Sequence, residues 1–174
     1  MAKAVISTIG HDRPGLVSDI AAIANDLALN IEDSRMTVLG GEFAVLMAVD
    51  GSAESLAEFD QKMTALCTDN DLAYIYRPTR ERPESEPTRS YTIKVIALDH
   101  PGIVYAIAAF FSARGVNIRD LNTETTPAAH TGTPIFNVTG TAELPETIKV
   151  HEFKAEFEEF CAEEDLDGSL EAAR

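Results

Sequence analysis

At 174 residues, with 45% hydrophobic and 25% charged side chains, the chain holds enough apolar material for two small cores. Twenty-nine acidic against fourteen basic residues give a net charge of −15. The arginines that cluster, Arg77, Arg80, Arg82 and Arg89, alternate with Glu81, Glu84 and Glu86, so no basic face is offered to nucleic-acid phosphates. No run reaches the roughly 18 apolar residues of a membrane span and the N-terminus lacks a signal-peptide core, so a cytoplasmic protein is expected.

Residues 4–9 form an apolar, β-branched run that reads as a strand. His11-Asp12-Arg13-Pro14-Gly15 follows, with Asp12 placed to cap a helix and Pro14 in its first turn. Leu16, Val17, Ile20, Ile23, Ala24 and Leu27 keep one helical stripe. A strand of imperfect alternation starts at Asn30, and Gly40-Gly41 turns it back into residues 42–49. A second helix carries Phe59, Met63, Leu66 and Cys67, and residues 72–77 close the unit as a strand. Residues 78–90, with three prolines and alternating charge, read as a solvated linker between domains at 1–77 and 91–174.

The second domain repeats the first. Leu98-Asp99-His100-Pro101-Gly102-Ile103-Val104 matches His11 to Val17 at an offset of 87, which also sets Asn117-Ile118 on Asn30-Ile31 and Asp120 on Asp33. Phe136 matches Phe43 at 93; Phe153, Cys161 and Leu166 match Phe59, Cys67 and Leu72 at 94. An insertion of about six residues near 126–134, a loop by composition, accounts for the drift. Ile103, Val104, Ile107, Phe110 and Phe111 form the first helical stripe, ended by Gly115; Phe153, Phe157, Phe160 and Cys161 form the second. The last strand, residues 166–171, contains Asp167 and Gly168 and reads as weak and prone to fray. The order β-α-β-β-α-β in each copy defines an α+β fold, a four-stranded antiparallel sheet with both helices on one face. Its other face or edge needs cover, so a homo-oligomer is expected.

Three features of each copy suggest one site. The first helix opens its amides and dipole toward the sheet rim, which suits a carboxylate. Asp12 or Asp99 offers a negative charge to an ammonium group, and Asn30 or Asn117 is expected at the same rim with an amide that both donates and accepts. Together they suit a free α-amino acid; a helix cap and a turn residue are the plainer reading of the same side chains.

The paired Asp-Arg-Pro-Gly-Leu-Val and Asp-His-Pro-Gly-Ile-Val, each with Asn-Ile following, resemble the ACT domain signature. Two such domains with nothing else, and residues 10–47 in particular, resemble the glycine cleavage system transcriptional repressor family. The resemblance implies ferredoxin-like modules that bind a small amino acid, glycine or serine. Asp12, Arg13, Gly15 and Leu16 would face Asn117 and Ile118, and Asp99, His100, Gly102 and Ile103 would face Asn30 and Ile31. It further implies a regulator that holds a transcriptional activator rather than DNA. No cofactor or metal is expected: Cys67 and Cys161 read as reduced core thiols, and His11, His100, His130 and His151 are scattered. Ser7, Ser18, His11 and His100 form no catalytic pattern, so an enzyme is not expected. A protein-interaction module without ligand, docking through acidic Glu156, Glu158, Glu159, Glu163, Glu164 and Asp165, and a regulatory subunit of a metabolic enzyme remain the alternatives.

Overall fold

The structure is a computed structural model that describes residues 2–79, 87–129 and 131–173. The chain divides into two compact units, Met1–Pro83 and Glu84–Arg174. Most of the expected linker, residues 80–86, lies outside the described residues; the flanking positions extend strands at either side.

The first unit runs β1 (Ala2–His11), α1 (Leu16–Asp26), β2 (Asn30–Leu39), β3 (Glu42–Gly51), α2 (Ala53–Asp69) and β4 (Ala73–Thr79), with sheet order β2-β3-β1-β4. The second repeats this as β5 (Thr88–Leu98), α3 (Ile103–Ala113), β6 (Asn117–Pro127), β7 (Pro134–Pro145), α4 (Val150–Glu163) and β8 (Asp167–Ala172), in the order β6-β7-β5-β8. All neighbouring strands are antiparallel. The expected α+β architecture is what each unit adopts.

Alternation decides which side chains meet the helices. In β1, Ala4, Ile6 and Thr8 are buried; in β3, Phe43, Val45, Met47 and Val49 are. They pack on Leu16, Ile20 and Ala24 of α1 and on Leu56, Phe59, Met63 and Cys67 of α2. Val17, counted in the α1 stripe, and Val104, its counterpart in α3, are instead exposed, because each lies a step beyond the packed face. Cys67 and Cys161 are free and buried, as expected of core thiols. Burial, then the charges of Asp167 and Glu158, pushes the Cys161 thiol up to about 11.

The imperfect alternation of the second strand has a structural cause. A β-bulge lies between Ile31 and Asp33, and another between Ile118 and Asp120, so one extra residue resets the faces of β2 and β6. Gly40 and Gly41, both at positive φ, make the expected two-residue hairpin turn. The longer connection in the second unit reduces to residues 128–133, because β6 and β7 extend to Pro127 and Pro134. The last strand is also firmer than its sequence suggests: β8 pairs with β5 from Asp167 opposite Ile96 to Ala172 opposite Tyr91, anchored by buried Leu170.

All four helices end on a left-handed residue followed by a hydrophobic residue that donates back into the last turn: Leu29 to Ala24, Leu72 to Cys67, Val116 to Phe111 and Leu166 to Cys161. Gly115 fills the left-handed position in α3, as expected, but Ala28, Asp71 and Asp165 fill the other three. Each of these L-residues carries strain that glycine would not. Ala28→Gly, Asp71→Gly and Asp165→Gly are each expected to stabilise by about 0.5 kcal/mol after glycine's greater loss of entropy on folding, read as a higher Tm in thermal unfolding.

The two outer sheet faces, away from the helices, differ in chemistry. In the first unit Ile9, Leu46 and Ile75 are 50–57% exposed beside Val5. Val5, Leu46, Ile75 and Pro78 help to line a groove of about 360 Å³. Thr92, Thr139 and Ser169 stand at the positions of Val5, Leu46 and Ile75 in the second unit, whose exposed large apolar groups lie at one end, Ile96 and Leu98.

Candidate functional site

Both first helices begin in the same unusual way. Gly15 (φ 92°) and Gly102 (φ 105°) occupy the N-cap in the left-handed region, and neither helix receives a side-chain cap. The expected capping by Asp12 and Asp99 does not occur, and Pro14 and Pro101 lie in the turn before the helix rather than within it. A glycine turns the chain sharply enough to start the helix directly, leaving no extended residue for a side-chain cap. First-turn amides with no side-chain acceptor keep their capacity for an anion.

Asp12 and Asp99 are exposed and held through their backbones. The Asp12 N–H donates to the Gly41 carbonyl at 3.3 Å, and the Asp99 N–H to the Pro134 carbonyl at 3.2 Å. The neighbour of the β1–α1 loop is therefore the β2–β3 hairpin turn. Leu16 and Ile103 are core residues, 1% and 2% exposed, and can offer a ligand only their backbone.

Arg13 is occupied by the fold. Its Nε donates to Asn70 Oδ1 at 2.8 Å, one terminal nitrogen to Asp19 Oδ2 at 2.7 Å, and the other to the Pro14 carbonyl at 3.3 Å. It thus ties the loop to the end of α2 and to the first turn of α1. His100, its counterpart, reaches the Pro101 carbonyl, 3.1 Å from Nδ1. Among the described residues the second loop has no equivalent clamp.

Asn30 and Asn117 are not at this rim. Asn30 stands opposite Asp50, which stands opposite Lys3 near the start of β1, whereas His11 at the far end of β1 stands opposite Glu42. In the second unit Asn117 is opposite Glu143, itself opposite Ser90 near the start of β5. The helix carries the chain back across the sheet, so β2 and β6 begin at the rim where β1 and β5 began. At about 3.3 Å per residue the two rims lie roughly 25 Å apart. One module therefore carries these residues at two opposite rims, and the convergence expected within a module is corrected.

Each asparagine has a partner that the sequence alone does not reveal. Asn30 Nδ2 donates to Asp50 Oδ1 at 2.9 Å, and Asn117 Nδ2 donates to Glu143 Oε2 at 3.0 Å. Ile31 and Ile118 follow, the first exposed and the second partly packed on the core. Among the described residues no group of His, Cys, Asp and Glu could hold a metal ion. No helix among them is long and apolar enough to cross a membrane.

Two βαββαβ modules, each with a glycine-opened helix after Asp-x-Pro, make this a tandem ACT-domain chain: ACT domain models match residues 3–75 and 91–154, and the chain belongs to that family. These are regulatory rather than catalytic domains. Across 166 residues, 95% of this chain and 87% of its relative, it is 29% identical to the glycine cleavage system transcriptional repressor of Escherichia coli K12, which it resembles as a whole. A solved protein of unknown function from Galdieria sulphuraria matches 99% of both chains at 27% identity and a TM-score of 0.79. A crystal structure provisionally named a glycine cleavage system transcriptional repressor covers 99% of this chain and 98% of its own at 23% identity and a TM-score of 0.74, a likeness of fold.

Proposed function

We propose that this protein is an amino-acid-responsive regulator, tuned by glycine or serine, that controls transcription by holding a protein rather than DNA. The observation that carries the reading is the duplicated helix start: an uncapped, glycine-opened N-terminus beside an aspartate, present in both ACT domains. Such a start binds a carboxylate through backbone amides, independently of the side chain that follows it. The near full-length similarity to the E. coli repressor supports the transcriptional role. The net charge of −15 argues against direct contact with phosphates. A protein partner is also in keeping with the apolar outer face of the first sheet, where Ile9, Leu46 and Ile75 meet water.

The loop rim and the Asn rim of one module are too far apart to hold a single amino acid together, so the reading rests on the helix start. The test is a thermal-shift series with the common amino acids, glycine and serine first. A ligand at 100 times its Kd adds about 2.7 kcal/mol, several degrees of Tm for modules of this size. A selective shift is expected. No shift with any of them at millimolar concentration would overturn the reading and leave a protein-interaction module without ligand.

A further inference from the structure

The outer face of the first sheet carries a charge pattern that its strand register makes explicit. Read straight across β2, β3, β1 and β4, one row is Asp33, Ala48, Val5 and Arg77, and the next is Arg35, Leu46, Ser7 and Ile75. At one end a row begins Asn30, Asp50 and Lys3; at the other the last row is Leu39, Glu42 and His11. Acids thus lie on the β2–β3 half and basic groups on the β1–β4 half. Arg35 is the exception, and it pairs with Asp33 along its own strand. Asp33, Glu42 and Asp50, with Glu32 reaching Lys3 from the bulge at 2.6 Å, stand against Lys3, Arg35 and Arg77. That is four acids to three bases, in a chain with 29 to 14.

Such a face is complementary to itself. A two-fold axis parallel to the strands, between β3 and β1, lays β2 on β4 and β3 on β1 of a second copy, in the aligned manner of packed sheets. Each row then meets itself reversed. Asp33 faces the partner's Arg77, Asp50 the partner's Lys3, and Glu42 the partner's His11. Leu46 settles over the partner's Ser7, small enough to leave it room, and Ile75 on the apolar stem of the partner's Arg35. Four strands about 4.8 Å apart, over some 33 Å of length, give a footprint of roughly 600 Å² per copy, at the lower end of stable interfaces.

The second unit shows that the fold alone does not impose this pattern. Its corresponding rows are Asp120, Thr141, Thr92 and Glu171, and Glu124, Asn137, Ile96 and Asp167. The same operation would set Asp120 on Glu171 and Glu124 on Asp167, acid upon acid, although Glu171 is already engaged by Lys94 at 2.7 Å. Two chains of charge −15 repel each other over most of their surfaces, and the first sheet's outer face is where that repulsion is least. It is also where Ile9, Leu46 and Ile75 reach water.

We propose that the outer face of the first sheet joins two copies of this protein about a two-fold axis parallel to β1 and β3, with reciprocal Asp33–Arg77 pairs fixing the register. The proposal goes beyond the regulator reading and does not depend on it. The apolar face, left open there to a protein partner, is given to a second chain.

The test is sedimentation equilibrium of the full chain over a range of concentrations, where a reversible dimer is expected. Leu46→Glu should raise its Kd about tenfold or more, while Thr139→Glu, the same change of charge at the equivalent position of the second unit, leaves it within about twofold. Arg77→Asp and Asp33→Arg should each weaken self-association, since each sets like charge on like. Mixed in equal amounts, these two variants should pair within about threefold of the original affinity, because both crossed contacts are then opposite in sign. All four substitutions alter exposed side chains, and an unchanged Tm confirms that each variant is folded. A chain that stays monomeric up to about 1 mM would overturn the proposal, the face being covered within the chain or kept for another protein. So would a dimer indifferent to Leu46→Glu, or a mixture no better associated than its two components.

Discussion

Phe157→Ala is expected to destabilise the second module by about 3–5 kcal/mol, the cost of emptying a large buried aromatic site. Phe157 is 0% exposed and sits among other rings, with Phe110 at 5.3 Å, Phe111 at 5.4 Å and Phe160 at 6.2 Å between centroids. Phe153 completes the cluster against Phe110 and Phe111. Deleting the central ring leaves a cavity whose walls are held by two helices, so little of it can collapse. The first module has no such cluster: Met63 stands where Phe157 does, with Ile23, Ala24 and Leu66 for Phe110, Phe111 and Phe160. Since each module has its own buried core, the loss should be local. Hydrogen exchange read by mass spectrometry should show protection lost in β5 and β7 and kept in β1 and β3. A cost under about 1 kcal/mol would mean that the cluster repacks, contrary to the close packing inferred from its geometry.

The repeat makes the architecture legible in the amino-acid sequence itself. Two Asp-x-Pro-Gly motifs with an Asn at fixed spacing locate both modules, and the stripes through Phe59, Met63 and Cys67 and through Phe153, Phe157 and Cys161 locate their second helices. Gly40-Gly41 identifies its turn because only residues tolerant of positive φ fit there. The bulges after Ile31 and Ile118 are visible only as a fault in alternation, since the extra residue is defined by its partner strand. β8 reads as weak because Gly168 lowers strand propensity locally, whereas the space it must leave empty is set by α4.

The site is legible in its parts but not in its assembly. Asp12, Gly15 and Asn30 stand out in the sequence, but the expectation of a shared rim neglects chain direction: α1 returns the chain, so β2 begins where β1 began. Capping by Asp12 follows from residue preference, and the left-handed Gly15 displaces it. Asp50 and Glu143 do not stand out because the insertion falls between Asn117 and Glu143, so no single offset aligns both partners with Asn30 and Asp50. Only the strand register brings amide and acid together.

A second large effect is expected where the two modules exchange core volume. Gly168 stands opposite Val95, as Tyr74 stands opposite Thr8 in the first module, so a glycine replaces a tyrosine at one position of the same fold. The larger Phe157, in place of Met63, accounts for the exchange: volume that the first module draws from its edge strand, the second draws from its helix. A Cβ at residue 168 would lie 2.3 Å from Cys161 Sγ, 3.2 Å from its Cβ and 3.3 Å from Phe157 Cε1. Gly168→Ala is therefore expected to cost about 1–3 kcal/mol by overpacking and to loosen β8 from β5. Cys161→Ala removes the nearest of those atoms, and alone it should destabilise by leaving a small void. Together the two should cost at least about 1 kcal/mol less than their separate effects predict, because the added methyl enters the space the sulfur vacates. Denaturant midpoints of the two single variants and the double variant measure that coupling. Simple additivity would show that β8 moves away from α4 instead, and that the edge strand yields before the core does.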